Sequence, residues 1–498
     1  MKSAAIGAYS GLMKTKAVVC ALGCAALAAT LSAAERPSIL LIFADDLGWR
    51  DVGFNGTDFY ETPNLDRLAR EGMVFQHAYA GGGNCQPSRA CLLSGQYTPR
   101  HGVYAVQSTE RGPKHRMRMV PVPNRHGLAA ENYTLAEVLK AAGYVTGIFG
   151  KWHLAGAEGA PPEAQGFDVV HESYAGWRDA TPDPANPKGI YSLTRAAGEF
   201  MAKHRDRPFF AYVSHYAIHT ALQAKPATLD KFKAKPPGQQ HRQPSYAACL
   251  ADLDDGVGQL LRQLAELGLE RKTLVLFTSD NGGTQQSSQE PLRGNKGCYY
   301  EGGIREPFIA RWPGVIPPGS RCDVPVINVD LYPTFLELAG ATAPKDKVLD
   351  GESLLALFRG GKALQREAIF WHFPGYLDTP VLRGRDPVFR TRPVTVIRKG
   401  DWKLHLYHEE WQLDGGRAKV QTNNAVELYN IAQDMGERHN LAGAKPARRD
   451  ELLADLLKWI ASTKALLPTE KNPDYDPTST PPAPARKGKG EKFGKAGQ

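Results

Sequence analysis

The sequence predicts an α/β protein built on a large, mostly parallel sheet sandwiched by helices, followed by a smaller α+β unit with an antiparallel sheet. Three observations carry that prediction. From Pro37 to about Gly340, short apolar runs alternate with amphipathic stretches, the order that buries a parallel sheet under helices on both faces. Two of those stretches, "NYTLAEVLKAAG" and "YAACLADLDDGVGQLLRQLAELG", repeat apolar residues at helical spacing, and the second stops at Gly268. Beyond Gln365 the pattern changes: "TVIRKGDWKLHLY" and "AVELYN" read as antiparallel strands, and "RRDELLADLLKWIAS" as a closing amphipathic helix. The expected divisions are a leader over 1–34, a main unit over 35–364, a second unit over 365–465 and a disordered Pro- and Lys-rich tail over 466–498.

The leader comes first. Lys14 and Lys16 precede "AVVCALGCAALAATLSAA", an apolar run that ends in small residues. A basic start, a short apolar stretch and a small-residue exit read as a secretory signal peptide, too short and weakly apolar for a stable membrane span. Export to the periplasm or medium is the expectation, with Met13 an alternative start. The cysteine of "ALGC", Cys24, resembles a lipoprotein cleavage site, but the residues before it fit poorly, so release is expected over anchoring.

Charge and cysteine content narrow the function. The net charge is +9, but the leader holds three lysines and the tail from Arg486 five basic residues against Glu491, leaving +2 for the body. A nucleic-acid partner calls for a basic folded domain, so that class is excluded. Of seven cysteines, Cys20 and Cys24 lie in the leader. The remaining five, Cys85, Cys91, Cys249, Cys298 and Cys322, are odd in number and irregularly spaced, which argues against a disulfide framework.

The strands of the main unit stop in chemistry. "SILLIF" runs into Asp45-Asp46, "YVTGIF" into Lys151 and His153, "FFAYVS" into His215 and His219, and "TLVLFT" into Asp280-Asn281. In a parallel sheet these ends share the carboxyl edge, where open α/β sheets bind ligands. Singly, each has an ordinary explanation as a turn, a cap, a solvated lysine or a packed histidine. Four independent strands ending in ionisable groups weaken those explanations together. Asp45, Asp46, Asp280 and Asn281 offer only oxygen ligands, a set that favours calcium or magnesium over zinc, and crowded carboxylates repel unless a cation lies between them. The H-x3-H spacing of His215 and His219 lacks the glutamate and helical pattern of a zinc motif.

Cys85 opens the stretch "CQPSRACLLSG". Pro87 suits a first helical turn and Gly95 a stop, which places Cys85 at a helix start that favours negative charge, with Arg89 one turn on. That arrangement suits a nucleophile beside a cation. The competing readings are a buried cysteine, or a disulfide to Cys91 for which six helical residues are poor geometry.

At this point the residues resemble a family. Cys85-Gln86-Pro87-Ser88-Arg89, with Leu93-Ser94-Gly95 behind it, is similar to the C-x-P-S-R signature of type I, formylglycine-dependent sulfatases of the alkaline phosphatase-like superfamily. "LLIFADDLGWRDVG" and "FTSDNGG" resemble the two metal motifs, and "YETPNLDRLAREGMVFQHAYA" the approach to the nucleophile. "GYVTGIFGKWHLAG" resembles the Gly-Lys-x-His motif, "LRGNKGCYYEGGIREPFIARWPG" the segment with the late active-site lysine, here Lys296, and "ELYNIAQDMGERHNLA" the C-terminal subdomain. One departure is "HYAIHTAL", which has Ile218 where the family has proline before the second histidine.

The resemblance implies a sulfuric ester hydrolase. Cys85 would be oxidised to formylglycine (3-oxoalanine) by a maturation enzyme, and with Asp45, Asp46, Asp280 and Asn281 it would hold one calcium ion. The hydrated aldehyde would attack sulfur, with Asp280 or the metal helping to take its proton. Arg89, Lys151 and Lys296 would neutralise the sulfate, His219 would protonate the departing alcohol, and His153 would take the second hydroxyl's proton so that sulfate is expelled. The implied substrate of an exported enzyme of this kind is a sulfated polysaccharide or oligosaccharide, such as a carrageenan-type galactan or a glycosaminoglycan. The rivals are a formylglycine-dependent phosphodiesterase or phosphonate monoester hydrolase, and a non-catalytic binder of sulfated glycans. The lack of a C-x-x-C pair ranks a cysteine redox protein below these rivals. Two stretches keep open readings: "FWHFPGY", Phe370 to Tyr376, as pocket wall or core, and "RGPKHRMR", Arg111 to Arg118, as polyanion contact or solvated loop.

Overall fold

The computed structural model describes residues 36–171 and 183–479; the expected leader, with Met13 and Cys24, and the far tail lie outside the described residues. The main unit is an eight-stranded mixed sheet. Its strands run in the order Val169–His171, Val145–Gly150, Phe209–Ser214, Ser38–Ala44, Thr273–Ser279, Phe308–Arg311, Met73–Phe75 and Ser320–Cys322. The first five are parallel, and Phe308–Arg311 runs antiparallel to both of its neighbours.

The central strand explains why the sheet is sandwiched. Ser38–Ala44 is buried throughout, so it carries no polar alternation. Ile39, Leu41 and Phe43 enter one apolar cluster, while Leu40, Ile42 and Ala44 enter the other. The helix Pro244–Glu266 covers the second face with Ile190–Lys203 and Pro63–Glu71, and Gly268 at φ 68° ends it as the sequence predicts. On the first face lie Cys85–Ser94, Leu135–Ala141 and Leu331–Ala339. Thr134 caps the second of these, its hydroxyl accepting from the Glu137 N–H at 3.3 Å while the Glu137 carboxylate accepts from the Thr134 N–H at 2.7 Å.

The second unit is a four-stranded antiparallel sheet in the order Ala368–Phe373, Val394–Lys399, Trp402–Tyr407, Val426–Asn430, closed by the helix Pro446–Thr463. The stretch Phe370–Tyr376 resolves as core: Trp371 is buried with its indole N–H on the Ala80 carbonyl at 2.8 Å, and Phe370 stacks on Trp459. The tail expectation needs a correction. Residues 466–479, expected to be disordered, pack on the main unit: Lys471 bridges to Met119 and the Asn472 and Asp476 N–H groups donate to the Arg118 and His115 carbonyls.

Buried charge joins the two units. Lys403 lies between Glu301 at 2.9 Å and Glu437 at 3.0 Å, all three side chains fully enclosed. Tyr79 donates to Glu301 at 2.8 Å, and His405 lies 3.2 Å from Glu437. Two carboxylates share one ammonium here, so one carries the charge more easily. Burial raises both, but Lys403 and Arg305 hold Glu301 below its ordinary value, whereas burial lifts Glu437 to about 7.

Removing one partner of such a buried set strands a charge, so Lys403→Ala should cost about 3–5 kcal/mol in urea unfolding. Glu437 favours its protonated form when folded, so its contribution is present below about pH 4.5 and is lost as pH rises through about 7. Glu437→Gln should flatten that slope in unfolding free energies measured at pH 5 and pH 8.

Candidate active site

Register places the chemistry. Because Val145–Gly150, Phe209–Ser214, Ser38–Ala44 and Thr273–Ser279 are adjacent and parallel, Lys151, His215, Asp45 and Asp280 emerge at one edge. Residues Cys85–Ser94 form the expected helix, with Gly95 at φ 66° returning its N–H to the Cys91 carbonyl at 2.9 Å. Cys85 therefore points its sulfur into the same edge, 3.5 Å from Asp45 Oδ1 and 3.8 Å from Asp46 Oδ1. All five described cysteines are free thiols, so no disulfide joins Cys85 to Cys91.

Cations and anions alternate around the sulfur. Lys296 Nζ donates to Cys85 Sγ at 3.0 Å and to Asp46 Oδ1 at 2.5 Å, and Lys151 Nζ donates to Asp45 Oδ2 at 2.6 Å. Arg89 forks onto Asp280 Oδ2 with Nε at 3.0 Å and Nη2 at 2.8 Å, both side chains fully enclosed. Its third nitrogen, Nη1, donates to Ser214 Oγ at 2.5 Å and to the Lys151 carbonyl at 3.1 Å. These three protein cations already answer part of the repulsion among the carboxylates that the sequence alone assigns to a metal.

The donor set nevertheless fits a hard cation. One ligand atom each from Asp45, Asp46, Cys85 and Asp280 lies within 4.8 Å of the others. Asn281 Nδ2 donates to Asp46 Oδ1 at 2.8 Å, which leaves Asn281 Oδ1 and Asp46 Oδ2 buried without hydrogen-bond partners. Two orphaned oxygens among clustered carboxylates are what an oxygen-liganded cation satisfies. Asp46 also takes a left-handed φ of 68°, and His153 one of 63°, conformations that cost about 1–3 kcal/mol and concentrate at functional sites.

Titration follows from burial and partners. Burial opposes ionisation of Asp45 and Asp46, but Lys151 for the first and Lys296 for the second outweigh it, holding both below the carboxylate range. Burial and Asp45 lift Asp280 to about 6, low enough to stay ionised against Arg89 at neutral pH. Burial, then Asp280, push the Cys85 thiol far up despite Lys151 and Lys296, so the unmodified side chain is a protonated thiol and a weak nucleophile. Burial, then Lys151 and Arg89, hold His153 well below its ordinary value, a neutral base.

His219 reaches the same point from the other side. Its Nδ1 donates to the Thr220 carbonyl at 2.7 Å, leaving Nε2 3.7 Å from Asp46 Oδ2 and grouped with Asp45 and Cys85. His215 does not join them: it is fully buried, neither ring nitrogen has a partner, and burial lowers its pKa to about 4. A cavity of about 790 Å³ opens above Cys85, with Asp45, Lys151, His153, His219 and Lys296 in its wall.

Three further residues belong to this site. Ser214 ties Arg89 to the Lys151 carbonyl, accepting from the first and donating to the second at 2.7 Å. Lys188 is buried and donates to the His219 carbonyl at 2.8 Å and the Ala221 carbonyl at 3.1 Å, holding the segment that carries His219. Arg390 comes into the cavity wall from the second unit. Ser214 ends the "FFAYVS" run and was findable by the strand-end rule; Lys188 and Arg390 carry no local signal.

The chain is similar to known proteins over most of its length. Residues 37–341 match the Sulfatase family model, and residues 294–464 match the model of the N-sulphoglucosamine sulphohydrolase C-terminal region. The chain is 34% identical over 521 residues to a sulfatase of Formosa agariphila, covering 86% of this chain and 90% of that protein. It is 34% identical over 495 residues to arylsulfatase A of Homo sapiens, covering 89% and 90%. The solved structure of Ps i-CgsB in complex with k-i-k-neocarrahexaose aligns with a TM-score of 0.66 at 28% identity, over 87% of this chain and 94% of that one.

Arg89 is the cation whose loss the fold should feel. Arg89→Met leaves Asp280 enclosed and unpaired, so equilibrium unfolding should show a loss of about 3–5 kcal/mol, and Arg89→Lys a smaller loss with one fewer donor direction.

Proposed function

Since this chain belongs to the sulfatase family and is a sulfuric ester hydrolase, we propose that it is an exported enzyme that removes sulfate from a carbohydrate, with Cys85 as formylglycine carrying the nucleophile. The observation that carries the reading is the position of Cys85: at a helix start, 3.0 Å from Lys296 and within 4 Å of two carboxylates, lining a cavity. Burial and Asp280 push the thiol up and make it a weak nucleophile, whereas an aldehyde in its place offers, once hydrated, an oxygen nucleophile and a second hydroxyl that lets the product leave.

Asp45, Asp46, Asp280 and Asn281 would hold calcium together with the modified residue 85. The ion would supply positive charge toward which sulfate oxygens can turn. Lys151 and Lys296, both in the cavity wall, would bind the anion and balance charge that moves onto its oxygens, while Arg89, enclosed against Asp280, adds positive charge from beneath. His219, its Nδ1 tied to the Thr220 carbonyl, keeps Nε2 for a proton delivered to the departing oxygen. His153, kept neutral by burial and adjacent cations, accepts a proton at the nucleophile's side. Asp280, ionised against Arg89, stands beside the same atoms as a second acceptor.

A cavity of this size accommodates one or two sugar units. Ps i-CgsB, whose complex holds a neocarrahexaose, supports a sulfated galactan as substrate, and the match to the N-sulphoglucosamine sulphohydrolase C-terminal model keeps glycosaminoglycans beside it.

The reading is tested by the mass of the Cys85 peptide from protein made with a maturation enzyme, together with turnover of aryl sulfate and aryl phosphonate esters. An aldehyde at residue 85 and a preference for the sulfate ester are expected; an unmodified thiol, or a preference for the phosphonate, overturns it. His219→Ala should slow release of a sugar alcohol by about 10²–10⁴-fold but spare much of the rate for a nitrophenol leaving group, which needs no proton. Calcium at about 100 times its Kd should stabilise chelator-treated protein by about 2.7 kcal/mol in thermal unfolding, and Asp46→Asn should remove most of that gain.

A further inference from the structure

Arg390 is a cation without its anion. It lies on the strand Phe389–Thr391, and its guanidinium forms part of the wall of the cavity above Cys85. Nε donates to the Thr379 carbonyl at 3.2 Å and Nη1 to the Lys296 carbonyl at 3.0 Å. Those are neutral acceptors, and its remaining N–H groups have no partner among the described residues. Neighbouring arginines of the same unit are matched by carboxylates: Arg385 by Glu427 at 2.8 Å and Glu410 at 3.1 Å, Arg392 by Glu409 at 2.5 Å. Among the described residues no carboxylate lies within 4.0 Å of Arg390.

The fold nevertheless makes room for it. Gly297 sits at φ 91°, and a Cβ there would come within 2.4 Å of Arg390 Cδ, so the backbone beside Lys296 yields to the arginine stem. Arg111 adds to the positive charge. It lines the same cavity, paired at 2.7 Å with Asp378; burial lowers the pKa of Arg390, with Arg111 adding to that and Cys298, Asp378 and Asp46 opposing it from beyond contact distance. Holding a partly desolvated guanidinium beside a second cation is unfavourable unless an anion arrives to share it. The distance to the reaction centre is set by one side chain: the carbonyl of Lys296 receives Arg390, and the ammonium of the same residue touches Cys85.

We propose that Arg390, assisted by Arg111, is a second anion subsite that takes a sulfate or carboxylate of the saccharide whose scissile sulfate lies over Cys85. This rests on the sulfatase reading and sharpens it. The substrate class becomes a saccharide charged at two or more positions on the same or adjoining sugars, and Arg390 is a specificity-determining residue.

Binding separates the proposal from catalysis. Isothermal titration in a Cys85→Ser background would compare κ- with ι-carrageenan tetrasaccharides and chondroitin disaccharides bearing one or two sulfates. A further pair is a chondroitin disaccharide with its uronate intact or reduced to the alcohol. The expected result is that the more highly charged member of at least one pair binds about 10- to 100-fold more tightly, with the gap shrinking as salt is raised. The sulfated pairs and the uronate pair tell which anion is recognised. Adding Arg390→Ala should close the gap, and Arg390→Lys, which keeps the charge without the fork, should restore part of it. A gap of equal size with Arg390→Ala, or none in any pair, overturns the subsite. Failure of the matured wild-type protein to release sulfate from p-nitrocatechol sulfate would instead overturn the catalytic reading, and leaves the titration independent of it.

Discussion

The Arg89–Asp280 pair is the contact on which the site depends. Asp280 ends one strand of the sheet and Arg89 lies on the helix that begins with Cys85, and neither side chain meets solvent. Their fork, extended through Ser214 and the Lys151 carbonyl, locks the helix against three strand ends at once. The alignment of Cys85 with Lys296, Asp45 and Asp46 follows from that lock. A buried ion pair is a poor source of net stability, since desolvation consumes most of its attraction, but it is intolerant of misplacement. Here that intolerance fixes the position of the Cys85 sulfur.

Around the lock, charge is close to balanced without being satisfied. Arg89, Lys151 and Lys296 face Asp45, Asp46 and Asp280, while Asn281 Oδ1 and Asp46 Oδ2 accept no hydrogen bond. On the proposed reading the cluster would take two guests of opposite sign: a hard cation for the oxygens and an anion for the two lysines that line the cavity. The second unit takes part as well. It is held to the main sheet by Lys403 between Glu301 and Glu437, and from that firm base it sends Arg390 into the cavity wall.

Much of this was legible in the sequence because the signals are local. Strands buried on both faces announce themselves as unbroken apolar runs, and the charged residues that stop them mark the sheet edge. Pro87 and Gly95 bracket the helix of Cys85 in the same way. Strand order is a tertiary property and was not readable, and with it went Lys188 and Arg390, which reach the site only because distant segments fold against it. The stretch Phe370–Tyr376 was ambiguous for a physical reason: aromatic rings beside polar groups pack equally well under a domain junction or against a sugar, and only the stacking of Phe370 on Trp459 decides. Likewise crowded carboxylates called for positive charge, and sequence alone could not divide that demand between a metal and the protein's own lysines.

The burial of Cys85 governs timing as well as chemistry. Its side chain is 1% exposed, and the stretch Cys85–Arg89 that would have to be recognised is wound into a helix buried along its whole length. No second enzyme can grasp that segment in extended form once the Arg89–Asp280 lock has closed. If Cys85 is converted to formylglycine as proposed, the conversion has to outrun folding, and each molecule would keep whichever side chain it had when the helix closed. A preparation would then be a fixed mixture of two species, its specific activity recording how fast the chain folded in the cell that made it.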